Sequence, residues 1–164
     1  MTAATPAQAF LKTIQNGLKF RLFLLQKLPA AYFAGLRLQQ VSEHHCAVSV
    51  PYKWATQNPF RSTYFACLAM AAEMSTGVLA MAQIYKRQPG VSMLVTGMES
   101  KFYKKATGIT LFTCHDGAAL QQAVAQAVQT GGGQTVRVQS TGTNKGGEVV
   151  AEFWITWSFR QKGY

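Results

Sequence analysis

Between Arg61 and Lys86 the only charged side chain is Glu73. Around it runs Tyr64-Phe-Ala-Cys-Leu-Ala-Met-Ala-Ala-Glu73-Met-Ser-Thr-Gly-Val-Leu-Ala-Met-Ala82. A helix that is apolar on all sides must be covered on all sides. It is not read as a membrane span, because Ser62, Thr63, Glu73, Ser75, Thr76 and Gln83 interrupt the apolar residues from 62 to 85. The rest of the chain must therefore wrap it. A lone carboxylate in such a helix is costly unless it is paired or its proton affinity rises. Carboxylates of that kind concentrate at functional sites. There are only 6 acidic residues in the chain, which makes the placement of Glu73 more telling.

The elements flanking this helix indicate what wraps it. Phe10, Leu11, Ile14, Leu18, Leu22, Leu25 and Leu28 recur at helical spacing, and predict one amphipathic helix over 6–28 with Pro6 near its start and Pro29 as its stop. Short strands follow at Leu36–Val41 and Cys46–Pro51, then a loop at Lys53–Pro59 and the long helix at Arg61–Tyr85. Strands are expected at Met93–Tyr103 and Gly108–His115, joined as a hairpin through Lys104–Gly108. Asp116 is placed to cap a helix over Ala118–Gln129. Strands at Thr135–Ser140 and Glu148–Phe159 close the order. Both faces of the last strand carry apolar or aromatic residues, so Trp154, Trp157 and Phe159 suggest a covered outer face. Strands around one buried helix give an α+β domain over 1–164, an antiparallel sheet curled on the helix at 61–85 with an N-terminal helix at 1–29. Small residues at 66, 69, 77 and 80, with Met70, let the sheet come close to the helix axis.

The balance of 16 Lys+Arg against 6 Asp+Glu favours polyanionic partners. The basic residues are scattered, with the densest group at Lys101, Lys104 and Lys105, and no basic–aromatic repeat points to nucleic acid. On the N-terminal helix they read as a solvated face rather than a membrane contact. Cys46, Cys67 and Cys114 lack disulfide or Cys-x-x-Cys spacing, which fits a reducing compartment. His44-His45-Cys46 has no zinc-type continuation, so no metal is expected. With no signal-peptide pattern at the N-terminus, the expected location is cytoplasmic.

The stretch Asn58-Pro-Phe-Arg-Ser-Thr-Tyr-Phe-Ala-Cys-Leu-Ala-Met-Ala-Ala-Glu73-Met-Ser-Thr-Gly77, with Glu99-Ser-Lys-Phe-Tyr-Lys-Lys-Ala-Thr-Gly108, resembles the hot-dog fold superfamily. Within it the chain is most similar to the phenylacetyl-CoA thioesterase-like group, and more narrowly to the branch called domain of unknown function 4442. The resemblance implies a curled antiparallel sheet around a long central helix, assembled as a dimer or tetramer. It also implies an acyl-CoA substrate and no cofactor beyond the CoA of that substrate. By position, Glu73 would be the nucleophile or general base, Asn58 the amide that orients water or the acid, and the N–H of Phe65, or of Tyr64, the oxyanion donor. Tyr64, Met70, Met74 and Thr76 would line the acyl site, and Lys101, Lys104 and Lys105 would meet the CoA phosphates. Tyr64-Phe65-Ala66 stands where these thioesterases usually carry His-Gly-Gly, and Gly77 where many carry a hydroxyl. Those departures motivate a second reading, a non-catalytic acyl or acyl-CoA binding module.

Overall fold

The computed structural model describes residues 5–163. Residues 1–4 of the expected N-terminal helix lie outside the described residues. From Pro6 to Lys27 the chain forms two helices rather than one: α1 (Pro6–Ile14) and α2 (Gly17–Lys27). The break has a local cause. The side chain of Asn16 accepts the Lys19 N–H at 3.1 Å and so starts a new helix. Thr5 and Gln8 make a reciprocal cap at the start of α1. A third helix, α3 (Pro29–Ala34), follows Leu28 and ends at Gly35, whose φ of +82° few other residues adopt.

Six strands form one sheet in the order β1 (Arg37–Val41), β2 (Cys46–Val50), β4 (Thr110–Cys114), β5 (Gly133–Thr143), β6 (Val149–Gln161) and β3 (Val91–Phe102). Every neighbouring pair is antiparallel. The expected hairpin between the strands flanking Lys104–Gly108 does not form. β3 pairs with β6 at one edge, while β4 sits between β2 and β5. Residues 103–109 therefore cross over instead of turning back. Local turn chemistry does not encode which strands become neighbours.

The long helix, α4, spans Phe65–Ile84, starting four residues later than the sequence suggests because Arg61–Tyr64 still belong to the preceding loop. It is long and apolar enough to cross a membrane by length and composition, but it is the core of this domain. Ala71, Ala72, Ser75, Thr76, Leu79 and Ala80 are fully buried, whereas Ala66, Ala69 and Met70 are only half-buried. The closest contact is thus one face further round than positions 66–70 imply. Ser75 Oγ lies 2.8 Å from Ser140 Oγ on β5, and the Trp157 Nε1–H donates to Thr76 Oγ1 at 2.9 Å.

α5 (Gly117–Thr130) packs beside α4. Asp116 precedes it but does not cap it. Its carboxylate accepts the Gln139 N–H at 2.7 Å, tying the helix start to β5. On β6, Ala151, Phe153, Ile155, Trp157 and Phe159 all point inward and are buried. Trp157 and Phe159 are core residues, not an outer face seeking cover. Of the three, only Trp154 faces outward, between the guanidinium of Arg137 and the ammonium of Lys101, at 5.3 and 5.6 Å from the ring centre. Cys46 and Cys114 face each other across β2 and β4 as free thiols, and burial pushes the Cys114 thiol up to about 12. Such thiols are inert packing groups.

Candidate functional site

At the start of α4 the backbone is left with spare donors. The Thr63 N–H is taken by the Ala106 carbonyl at 2.8 Å and the Tyr64 N–H by that of Thr56 at 2.7 Å. Cys67 and Leu68 donate back to the Tyr64 carbonyl. Tyr64 occupies the N-cap position without supplying a side-chain cap. Among the described residues no acceptor meets the N–H of Phe65 or Ala66. Two unused donors at the positive end of a helix favour negative charge there. Of the two expected oxyanion donors, Phe65 retains a free N–H and Tyr64 does not.

Phe65 also lines a cavity of about 480 Å³, together with Asn58, Phe60, Tyr64, Phe102 and Lys105 among others. Its size falls in the range of small-molecule sites. Tyr64 and Phe65 stack edge to face at its rim, 5.0 Å apart, and both are exposed. Lys105 reaches back to the Phe60 carbonyl at 3.4 Å, and Lys104 is ion-paired with Glu148. Lys101 belongs to the outer face of β3 over Trp154, outside this cavity.

Asn58 is in the same cavity but its amide is occupied. Oδ1 accepts the N–H groups of Phe60 and Ser62 at 2.9 and 3.2 Å, and Nδ2 lies 3.1 Å from Ser62 Oγ. These bonds hold a turn in which Arg61 takes a left-handed φ of +59°. Asn58 therefore shapes the loop that leads into α4. Within one chain it lies in a different cavity from Glu73.

Glu73 lies eight residues beyond Phe65, about 12 Å along the helix and turned about 80° from it. It lines a separate, apolar cavity of about 100 Å³. The walls are Phe10 and Ile14 of α1, Phe20, Phe23 and Leu24 of α2, Met74, Gly77, Val78 and Met81 of α4, and Met93 of β3. The carboxylate lies over Gly77, where an added Cβ would come 3.1 Å from Glu73 Oε1 and 3.3 Å from Trp157 Cζ2. No donor among the described residues meets the carboxylate, and burial raises its proton affinity above that of an ordinary carboxyl. An unpaired acid in an apolar pocket is suited to accept a proton or attack an acyl carbon.

Within one chain, then, Glu73 and Met74 share one cavity, and Asn58, Tyr64, Phe65, Lys104 and Lys105 share the other. Met70 lines neither, and Thr76 is fully buried with its hydroxyl between Trp157 and the Glu73 carbonyl. Sequence reasoning missed the walls supplied by α1 and α2. The helical spacing of Phe10 and Ile14 signals a face to be buried, but not which face of α4 receives it.

The model of the DUF4442 family, described as a domain of unknown function, matches residues 18–159. No curated protein matches the sequence. Among solved structures, a Pseudomonas aeruginosa protein described as a probable thioesterase superposes with a TM-score of 0.74 at 21% identity, covering 88% of this chain and 96% of its own. A protein of unknown function from Chlorobaculum tepidum gives 0.77 at 16% identity, over 94% and 99% of the two chains. A thioesterase from Haemophilus influenzae gives 0.61 at 13% identity, over 85% and 88%. At these identities the likeness establishes the fold. With its sheet wrapped on a central helix, this chain has the hot-dog fold of those thioesterase-like proteins and belongs to the DUF4442 family.

Proposed function

We propose that the protein hydrolyses an acyl-CoA thioester, with Glu73 as general base or nucleophile. The observation that carries this reading is an unpaired carboxylate of raised proton affinity, set in an apolar cavity on the central helix. Acting as base, Glu73 takes a proton from water while the hydroxide oxygen bonds to the acyl carbon. The negative charge moves to the carbonyl oxygen, where the N–H groups of Phe65 and Ala66 suit it. Collapse breaks the C–S bond, and the CoA thiolate leaves with the proton held by Glu73. As nucleophile, Glu73 would attack the acyl carbon and expel the CoA thiolate by breaking the C–S bond, and water would then open the resulting mixed anhydride to the acid and free Glu73.

One thioester cannot reach donors and acid that are about 12 Å apart on one helix. A second copy of the chain would resolve this by bringing its own Glu73 to the first copy's Phe65. Edge strand β3 suits that assembly. It is 12 residues long, and Met98 and Phe102 are exposed on its inward face. Long unprotected edges with apolar side chains call for cover. Lys105, and Lys104 once released from Glu148, would meet phosphates at the mouth of the larger cavity. The three free cysteines fit a reducing, cytoplasmic setting.

A panel of acyl-CoAs followed by released thiol tests the reading. Wild type should turn over at least one chain length, and Glu73→Gln should abolish turnover while keeping the fold. Equal turnover by the variant removes Glu73 from the mechanism. The second reading, a non-catalytic acyl-CoA binding module, draws on the Tyr64–Phe65 ring pair crowding the donors. Calorimetry showing tight acyl-CoA binding without product would favour it.

A further inference from the structure

α2 is apolar on two faces. Phe20 and Leu24 pack into the core, while Leu18, Leu22 and Leu25 form a second stripe at helical spacing on the outside. Leu18 is 72% exposed, Leu22 51%, Leu25 41%, and Phe33 on α3 64%. Arg21 stacks on Tyr32, 4.1 Å from the ring centre, and so links α2 to α3. Residues 1–42 contain Lys12, Lys19, Arg21, Lys27 and Arg37, but no Asp or Glu.

We propose that the outer face of α2 and α3 docks on an anionic lipid bilayer, with the leucine stripe in the acyl boundary and Lys19 and Arg21, which flank it, at the headgroups. A rim of cations around an apolar stripe on a helix is the pattern of interfacial helices. The charge also argues against the other obvious cover, a second copy of this chain. A two-fold interface sets the same patch against itself. Lys19 and Arg21 would then face their own copies with no acid in the first 42 residues to pair with them. An anionic membrane has the complementary charge.

Phe23 on α2 and Leu28 just after it are partly exposed, and both also line the Glu73 cavity. The apolar surface and the acid's pocket are therefore continuous, so an acyl chain could pass from the bilayer toward Glu73. That consequence rests on the thioester reading; the docking does not.

Sedimentation of the full chain with vesicles tests the docking without any activity readout. Wild type should pellet with vesicles half phosphatidylglycerol and half phosphatidylcholine, and not with pure phosphatidylcholine. Binding should weaken as salt rises. Leu18→Gln/Leu22→Gln/Leu25→Gln should abolish pelleting, and Lys19→Gln should weaken it about fivefold. Both variants should keep the wild-type circular dichroism spectrum, since every changed side chain is exposed. The proposal is overturned if wild type stays in the supernatant at low salt, or if the triple variant pellets as well as wild type. It is also overturned if light scattering shows the triple variant in a smaller oligomer while wild type ignores vesicles, which would make the stripe a subunit contact. Equal pelleting on pure phosphatidylcholine would refute the role of charge.

Discussion

Phe65→Pro isolates a single backbone donor. Proline removes an N–H and fixes φ near the helical value, and both are tolerated at the first helical position. Phe65 holds that position in α4. Proline also requires an extended conformation in the residue before it. Tyr64 already has φ −60° and ψ 134°. The Phe65 N–H has no acceptor among the described residues, so no protein hydrogen bond is lost. The Phe65 ring is exposed, so little burial is lost either. Stability should stay within about 1 kcal/mol of wild type, a shift of roughly 2–4 °C in melting temperature. The effect on rate should be far larger. Loss of one oxyanion donor costs about 10²–10³ in turnover, or ~3–4 kcal/mol. With the Ala66 N–H still in place, the lower end of that range is expected. The assay is thiol release from an acyl-CoA that wild type hydrolyses, with Phe65→Ala beside it to account for the missing ring. If Phe65→Pro turns over as fast as Phe65→Ala, the Phe65 N–H does not hold the oxyanion. If Phe65→Pro fails to fold, the donor was not spare and the account of the α4 start is wrong.

Burial raises the folded-state proton affinity of Glu73, so its stabilising protonated form is complete at low pH and is lost as pH rises through the raised value. Glu73→Gln should therefore gain stability relative to wild type as pH rises above the ordinary carboxylate range in denaturant titrations, and a flat difference would refute the desolvation. For the same reason, the acid limb of the wild-type pH–rate profile should lie above the ordinary carboxylate range. Gly77→Ala should lower the melting temperature despite alanine's better helix propensity of about 1 kcal/mol. The new methyl meets Glu73 Oε1 and a Trp157 ring held by its bond to Thr76, and overpacking of that kind costs ~1–3 kcal/mol. Gly17→Ala, with nothing within 4 Å of the added atom, should be neutral or stabilising; equal effects at the two sites would show that Gly77 is not a close-approach position. Gly142→Ala would place its methyl 2.5 Å from the buried Phe112 ring on the neighbouring strand, and chemical denaturation should show a loss of ~2 kcal/mol or more.

The sequence by itself determined the α4 core helix, its one acid and the sheet that must surround it, because apolar periodicity and an isolated charge are local facts with large energies. It also determined five of the six strands to within two residues at either end, since alternation and turn residues mark them. β5 extends two residues before and three beyond its expected range because β6 pairs along it from Gly133 to Thr143. Tertiary structure decided the rest. The crossover from β3 to β4, the inward turn of Trp157 and the engagement of Asp116 by Gln139 each depend on partners far along the chain. So does the candidate site. Asn58 and Glu73 are fifteen residues apart in a stretch that reads as one motif, yet the helix sends them to different cavities. Which wall covers Glu73 depended on how α1 and α2 fold back onto α4, a choice between faces of similar apolarity that no local pattern encodes.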